Sequence, residues 1–185
     1  MRVYGAAELK DSLHTGFVAK SHESLEELRP KLLINNSDRG QKVLTSIIKE
    51  LQQCQEFFFS VAFVTLGGVT ALLNTLQELE AKQIRGKIIA SQYLNFTEPE
   101  ALRKLASFSN IECRVLVEHK LHAKGYLFKY QGHMNLIVGS SNLTQDALGS
   151  NKEWNLRVSS MEEGAIVHET LGEFNELYEL ATPVD

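Results

Sequence analysis

His122 and Lys124, one residue apart, open the most informative stretch of the sequence, Leu121-His122-Ala123-Lys124-Gly125-Tyr126-Leu127-Phe128. Gly139-Ser140-Ser141-Asn142-Leu143-Thr144 follows it, and Glu153 lies further on. Side chains two apart on a β-strand share a face, roughly 6.5–7 Å apart along the backbone, so a strand here presents an imidazole and an ammonium together. That pair suits a tetrahedral oxyanion. Lys124 supplies a point charge, Asn142 an amide donor, and Gly139 a backbone that a ligand can approach closely. Ser140 has the strand parity of Asn142, so its hydroxyl joins the candidate cluster. Glu153 opens a strand whose other parity, Trp154, Leu156 and Val158, is apolar. Alternation therefore puts Trp154 in the core and leaves Glu153 pointing away from it, able to hold an imidazole N–H. His119 and His122 are spaced i, i+3, but on a strand they face opposite ways and no Cys or Asp cluster accompanies them, so no metal site is expected. Gly67-Gly68 opens a helix after a strand without the residues of a phosphate loop, and Thr65 as a helix cap accounts for it.

These residues need a scaffold, and hydrophobic periodicity supplies one. Gly40 to Gln53, with Val43, Ile47, Ile48 and Leu51 at helical spacing, reads as an amphipathic helix. Phe57 to Val64 is too apolar for an exposed face and reads as a central strand covered on both sides. Leu72, Leu73, Leu76 and Leu79 mark the next helix, Lys87 to Ser91 a second buried strand, Glu98 to Phe108 a helix, and Ile111 to Val117 a third strand. Leu121 to Tyr130 and Met134 to Gly139 then read as an antiparallel hairpin, followed by a turn or short helix at Asn142 to Leu148 and a strand from Glu153 to Ser159. Val167, Leu171, Phe174, Tyr178 and Ala181 place a helix packed on the sheet over about residues 160–182. Residues 1–30 are an extension without a clear pattern, apart from a short helix at Glu23 to Arg29 stopped by Pro30. A short strand at Leu32 to Ile34 comes next. The fold class is α/β, a mixed β-sheet flanked by helices on both faces, in one domain over 1–185.

Of the 185 residues, 43% are apolar and 23% charged, the balance of a globular chain. The longest nearly uninterrupted apolar run, Phe57 to Val64, is far short of the roughly twenty residues of a bilayer span. Met1 to Ala19 has no secretory pattern. Cys54 and Cys113 lie beside apolar stretches and read as buried, reduced thiols, which fits the cytoplasm. The net charge of −4 is unevenly spread. Ser159 to Asp185 holds seven acids and no Lys or Arg, leaving the rest of the chain net basic. From His119 to Gln145 there are three lysines, Lys120, Lys124 and Lys129, and no carboxylate. That local field tolerates a phosphate but is no broad basic patch.

The motif His122-x-Lys124 with Gly139-Ser140-x-Asn142 resembles the active site of the phospholipase D superfamily. The usual pattern there is HxK, four residues, Asp, six residues, GSxN. Here Lys129 stands at the Asp position and three extra residues precede Gly139. The spacing instead resembles a nuclease-like branch: metal-independent restriction nucleases and the N-terminal phospholipase D-like domains of DEAD/DEAH-type helicases. That branch shows HxK, seventeen residues, Asn, ten residues, Glu, and His122, Lys124, Asn142 and Glu153 fall on it without a gap. The likeness covers most of residues 30–180.

The resemblance implies a phosphodiesterase that cuts DNA without a metal or other cofactor, through a phosphohistidine. His122 would be the nucleophile, Lys124 and Asn142 would hold the phosphate with Ser140 beside them, and Glu153 would orient His122. The chemistry takes two histidines and the chain has one HxK, so the expected assembly is a homodimer sharing one site. Two alternatives stay open. One is a non-cleaving DNA-docking domain, a fragment of a larger protein with a C-terminal helicase or DNA-recognition domain. The other, a lipid phosphodiesterase, would want a membrane-binding surface, and no basic amphipathic helix is present.

Overall fold

The computed structural model describes residues 3–92, 95–118 and 120–184. In chain order the elements are α1 (Ala6–Phe17), β1 (Lys31–Leu33), α2 (Val43–Leu51), β2 (Glu56–Val61), α3 (Leu66–Ala81), β3 (Arg85–Ser91), α4 (Pro99–Ala106), β4 (Ile111–Leu116), β5 (Lys124–Lys129), β6 (His133–Gly139), α5 (Gln145–Gly149), β7 (Asn155–Met161), α6 (Ala165–Leu180) and β8 (Thr182–Pro183). The strands form one mixed sheet in the order β1-β7-β6-β5-β2-β3-β4-β8. The β2-β3-β4 block is parallel, as its helical crossovers require, and the β5-β6 hairpin adds antiparallel to β2.

The run Phe57-Phe58-Phe59 must be covered on both sides, and it is. Phe57 and Phe59 face a cluster built with Ile47 and Leu51 of α2, Leu72 and Leu76 of α3, and Leu105 of α4. Phe58 faces the other way, onto Phe174 and Tyr178 of α6 together with Ile89, Leu116 and Leu127. Helices thus flank both faces. The acidic C-terminal helix packs through the expected positions Val167, Phe174 and Tyr178. Thr65 caps α3, its Oγ1 accepting the Gly68 N–H at 3.2 Å. Cys54 and Cys113 are buried and unpaired, and burial pushes each thiol up to about 12. Among the described residues, no helix is long and apolar enough to cross a membrane.

Several expectations need correction. The extension contains a full helix, α1, whose capping carboxylate Glu8 accepts the Gly5 N–H at 2.8 Å; a single 3-10 turn, Glu26–Leu28, stands where a short helix was expected. Strand β5 starts at Lys124, so His122 sits on the segment leading into the strand and not within it. Glu153 likewise precedes β7, and β8 adds an unforeseen edge strand on β4. Trp154 is not in the core. It is 74% exposed, Leu156 is also exposed, and the buried parity of β7 is the polar one: Asn155, Arg157 and Ser159. The cause is coverage. The cluster under α6 contains no residue of β7, whereas α2 lies over the opposite face and brings down a buried carboxylate, Glu50.

Around Glu50 the sheet holds a polar cluster instead of an apolar one. Arg157 Nε donates to Glu50 Oε1 at 2.7 Å; the Tyr130 hydroxyl and Asn135 Nδ2 donate to Oε2 at 2.6 and 2.7 Å. Ser159 closes the cluster by donating to Asn135 Oδ1 at 2.6 Å. With both ions about nine-tenths buried, removing one leaves the other uncompensated. Arg157→Leu should therefore cost about 3–5 kcal/mol in a urea unfolding titration. A loss below about 1 kcal/mol would contradict the pairing.

Candidate active site

Register brings four strand ends to one rim of the sheet. Val61 at the end of β2 pairs with Lys124 at the start of β5, Gly125 pairs with Val138, and Gly139 at the end of β6 pairs with Asn155 at the start of β7. The candidate residues hang from these ends: His122 just before β5, Ser140 and Asn142 just after β6, Glu153 just before β7. Residues far apart in sequence therefore share one rim because the sheet pairs their flanking strands.

The Lys124 ammonium folds back on its neighbour, donating to the His122 carbonyl at 2.8 Å with Nζ 3.1 and 3.2 Å from the two ring nitrogens. Asn142 Oδ1 accepts the Phe63 N–H at 3.1 Å. That bond fixes which end of the amide is which, leaving the amino end as a donor. Phe63 in turn packs edge-on to the His122 ring, centroids 6.3 Å apart. The imidazole and the amide are thus tied to the same residue of the β2 exit, which the spacing of the sequence did not reveal. Residues 141–143 are themselves clamped. The Tyr126 hydroxyl donates to the Ser141 carbonyl at 2.8 Å, and the Leu143 N–H donates to the Phe63 carbonyl at 3.1 Å.

Glu153 does not take the imidazole. It accepts the hydroxyl of Ser140, which also accepts the Trp154 N–H at 3.1 Å; among the described residues no hydrogen bond joins Glu153 to His122. Gly139 has a different task from the one its motif suggested. A Cβ there would lie 2.2 Å from the Trp154 carbonyl, so glycine is what lets β7 approach and bring Glu153 to Ser140. Lys129 is exposed at the far end of β5, paired with Glu56, and takes no part. His119 lies outside the described residues. Beside the site is a cavity of about 420 Å³, lined by His122 and Lys124 together with Leu121, Leu127, Val138 and Phe174. Burial holds the Lys124 ammonium below the ordinary lysine range, against an opposite pull from the Glu153 carboxylate. The arrangement places an imidazole, the Lys124 cation and an amide donor at one rim, beside a cavity that Lys120 and Glu173 also line. Among the described residues, no second histidine touches His122.

A family model described as "Cardiolipin synthase, PLD-like domain" matches residues 47–178. Among solved structures, NucT from Helicobacter pylori superposes with a TM-score of 0.66 at 14% identity, covering 84% of this chain and 98% of that one. Nuc from Salmonella typhimurium, described as a phospholipase D family member, gives 0.65 at 14% identity with the same coverage. Phosphatidylserine synthase from Haemophilus influenzae gives 0.65 at 13%, covering 92% of this chain and 44% of that one. At these identities the likeness is one of fold. Among curated proteins none matches the chain.

The electrostatics give a signed prediction. In an NMR titration of the Lys124 side chain, the midpoint should fall below the ordinary value of 10.5 and fall further in Glu153→Gln, which removes the charge that favours the ammonium. A rise in Glu153→Gln would contradict the placement of the two groups.

Proposed function

Since the chain belongs to the phospholipase D-like domain family, we propose that it is a metal-independent phosphodiesterase cleaving DNA, with one site shared by two copies. The observation that carries the reading is the His122–Lys124 contact at the same rim as Asn142, each held through Phe63 or its own backbone. Lys124 and Asn142 would stabilise charge on the phosphoryl oxygens, the work a metal does elsewhere. His122 of one copy would attack phosphorus, forming a P–N bond as the P–O bond to the leaving strand breaks. His122 of the second copy would give that oxygen its proton. Water would then attack the phosphohistidine, its proton passing to the second imidazole, and the P–N bond would break. Glu153, through Ser140, would position the segment that carries Asn142.

An uncovered apolar strip supports a second copy. Leu32, Leu156 and Val138 are cross-strand partners on the α6 side of β1, β7 and β6, all exposed, with Trp154 beyond them. Val138 also lines the cavity beside His122, so the strip starts at the site. A two-fold axis there would cover the strip and bring a second imidazole to the first. We read the whole chain as one such domain, acting in the cytoplasm and serving a helicase or DNA-recognition partner.

Wild-type protein should cut DNA in EDTA, and His122→Ala should lose about a thousand-fold or more of that rate. Cutting abolished by EDTA, or kept by His122→Ala, overturns the reading. DNA retained without cutting would point to a docking module, and headgroup release from phospholipid vesicles to a lipid phosphodiesterase. Trp154→Arg with Leu156→Glu should yield a folded monomer with no phosphodiesterase activity. A monomer cutting at the full rate would exclude the shared site.

A further inference from the structure

Next to the imidazole stands a pair of aromatic rings that the chemistry above leaves unused. Phe63 meets His122 edge-on, and Phe96 meets Phe63 edge-on with centroids 5.1 Å apart and planes at 76°. Phe96 is 59% exposed, so much of its ring is bare. The pair belongs neither to the two core clusters nor to the apolar strip on β1, β7 and β6.

The backbone under both rings is fixed. Phe63 is clamped at its N–H by Asn142 and at its carbonyl by the Leu143 N–H. The segment carrying Phe96 is tied to the end of β3 and to the exit of β2 by three bonds. The Thr97 hydroxyl donates to the Ser91 carbonyl at 2.6 Å, the Glu98 N–H donates to the Val64 carbonyl at 2.9 Å, and the Leu66 N–H donates to Glu98 Oε2 at 2.6 Å. A bare ring on a rigid support loses little freedom when something lies against it. The residue that fixes Phe63 also supplies the amide donor, so ring and phosphate site keep a set separation.

We propose that Phe63 and Phe96 form a stacking ledge for the nucleobase flanking the scissile phosphate, so that the site takes a single-stranded or locally unpaired strand. Every base has a π-face and stacks on an aromatic ring whatever its sequence, whereas a base inside a duplex has both faces occupied. A quaternary ammonium headgroup is the competing occupant of aromatic rings. The carboxylate two residues along, Glu98, already accepts the Leu66 N–H and does not complete such a cage. This inference rests on the phosphodiesterase reading but is tested by binding, which does not require cleavage.

The probe is a short single-stranded oligonucleotide carrying 2-aminopurine beside a central phosphate, titrated into the full chain with His122→Ala to hold it uncut. Binding should quench the fluorophore. Phe96→Ala should abolish the quench and weaken binding about ten-fold, and Phe96→Trp should restore both. The same oligonucleotide with abasic sites flanking that phosphate should already bind weakly, with no further loss in Phe96→Ala. A duplex should bind less well than the single strand. Equal losses for base-bearing and abasic strands, an unchanged quench, or tighter retention of a phosphocholine diester than of the oligonucleotide would overturn the ledge. Quenching without cutting by the wild type would keep the ledge and remove the nuclease. Cutting that ignores Phe96 would do the reverse.

Discussion

At the end of β6 the chain must pass close enough to β7 for Gly139 and Asn155 to pair, with room only for a hydrogen where a Cβ would strike the Trp154 carbonyl. The segment from Ser140 to Leu143 takes its direction from that approach. Asn155 then accepts the Ser141 N–H at 3.1 Å, Ser140 reaches Glu153, and Leu143 meets the exit of β2. On the far side of this segment Gly68 plays a similar part, since a Cβ there would lie 2.1 Å from the Leu143 carbonyl. Asn142 is therefore held between two backbones by contacts that tolerate no side chain. Its amide points from a fixed place because its neighbours leave it no other.

Much of this was legible in the sequence. The helix-strand alternation, the doubly covered β2 with its Phe57-Phe58-Phe59 run, the hairpin and the packing face of α6 follow from periodicity, because coverage on both sides leaves a pattern that alternation cannot produce. His122, Lys124, Asn142 and Glu153 stand out because their spacing resembles that of the nuclease-like branch. What failed, failed for stated causes. Alternation gives the period of β7 but not which face is covered, and its covered face is polar because Glu50 descends from α2. Alternation alone thus puts Trp154 on the wrong side. Alternation, with the family resemblance, turns Glu153 toward the imidazole, but Glu153 precedes β7 and takes the Ser140 hydroxyl instead. Phe63 belongs by sequence to the apolar run beginning at Phe57, but the strand ends at Val61 and the ring turns to the rim. Helix α1 escaped because its buried positions, Leu9 and Ser12, are few and one is polar.

The site is electrostatically sparse. Lys124, partly desolvated, feels the Glu153 carboxylate that lies behind Ser140, and the cavity beside it is lined by one further lysine, Lys120, and by one α6 carboxylate, Glu173. On the proposed reading such an arrangement would draw a phosphate without attracting polyanions broadly, and would leave selection to shape and stacking. The proposed phosphohistidine route takes two imidazoles in opposite protonation states at once. Two copies of His122 across a two-fold axis would achieve this, because a proton on one ring disfavours a proton on the other.

The central claim is that His122 forms a bond to phosphorus. Denaturing quench of wild-type protein mixed with a single-stranded oligonucleotide in EDTA, followed by peptide mass spectrometry, tests it directly. The account predicts a nucleotide-phosphoryl adduct on His122 that is acid-labile, turns over with the reaction and is absent in His122→Ala. Product formed at full rate with no adduct at any time, or an adduct carried by another residue, would contradict it.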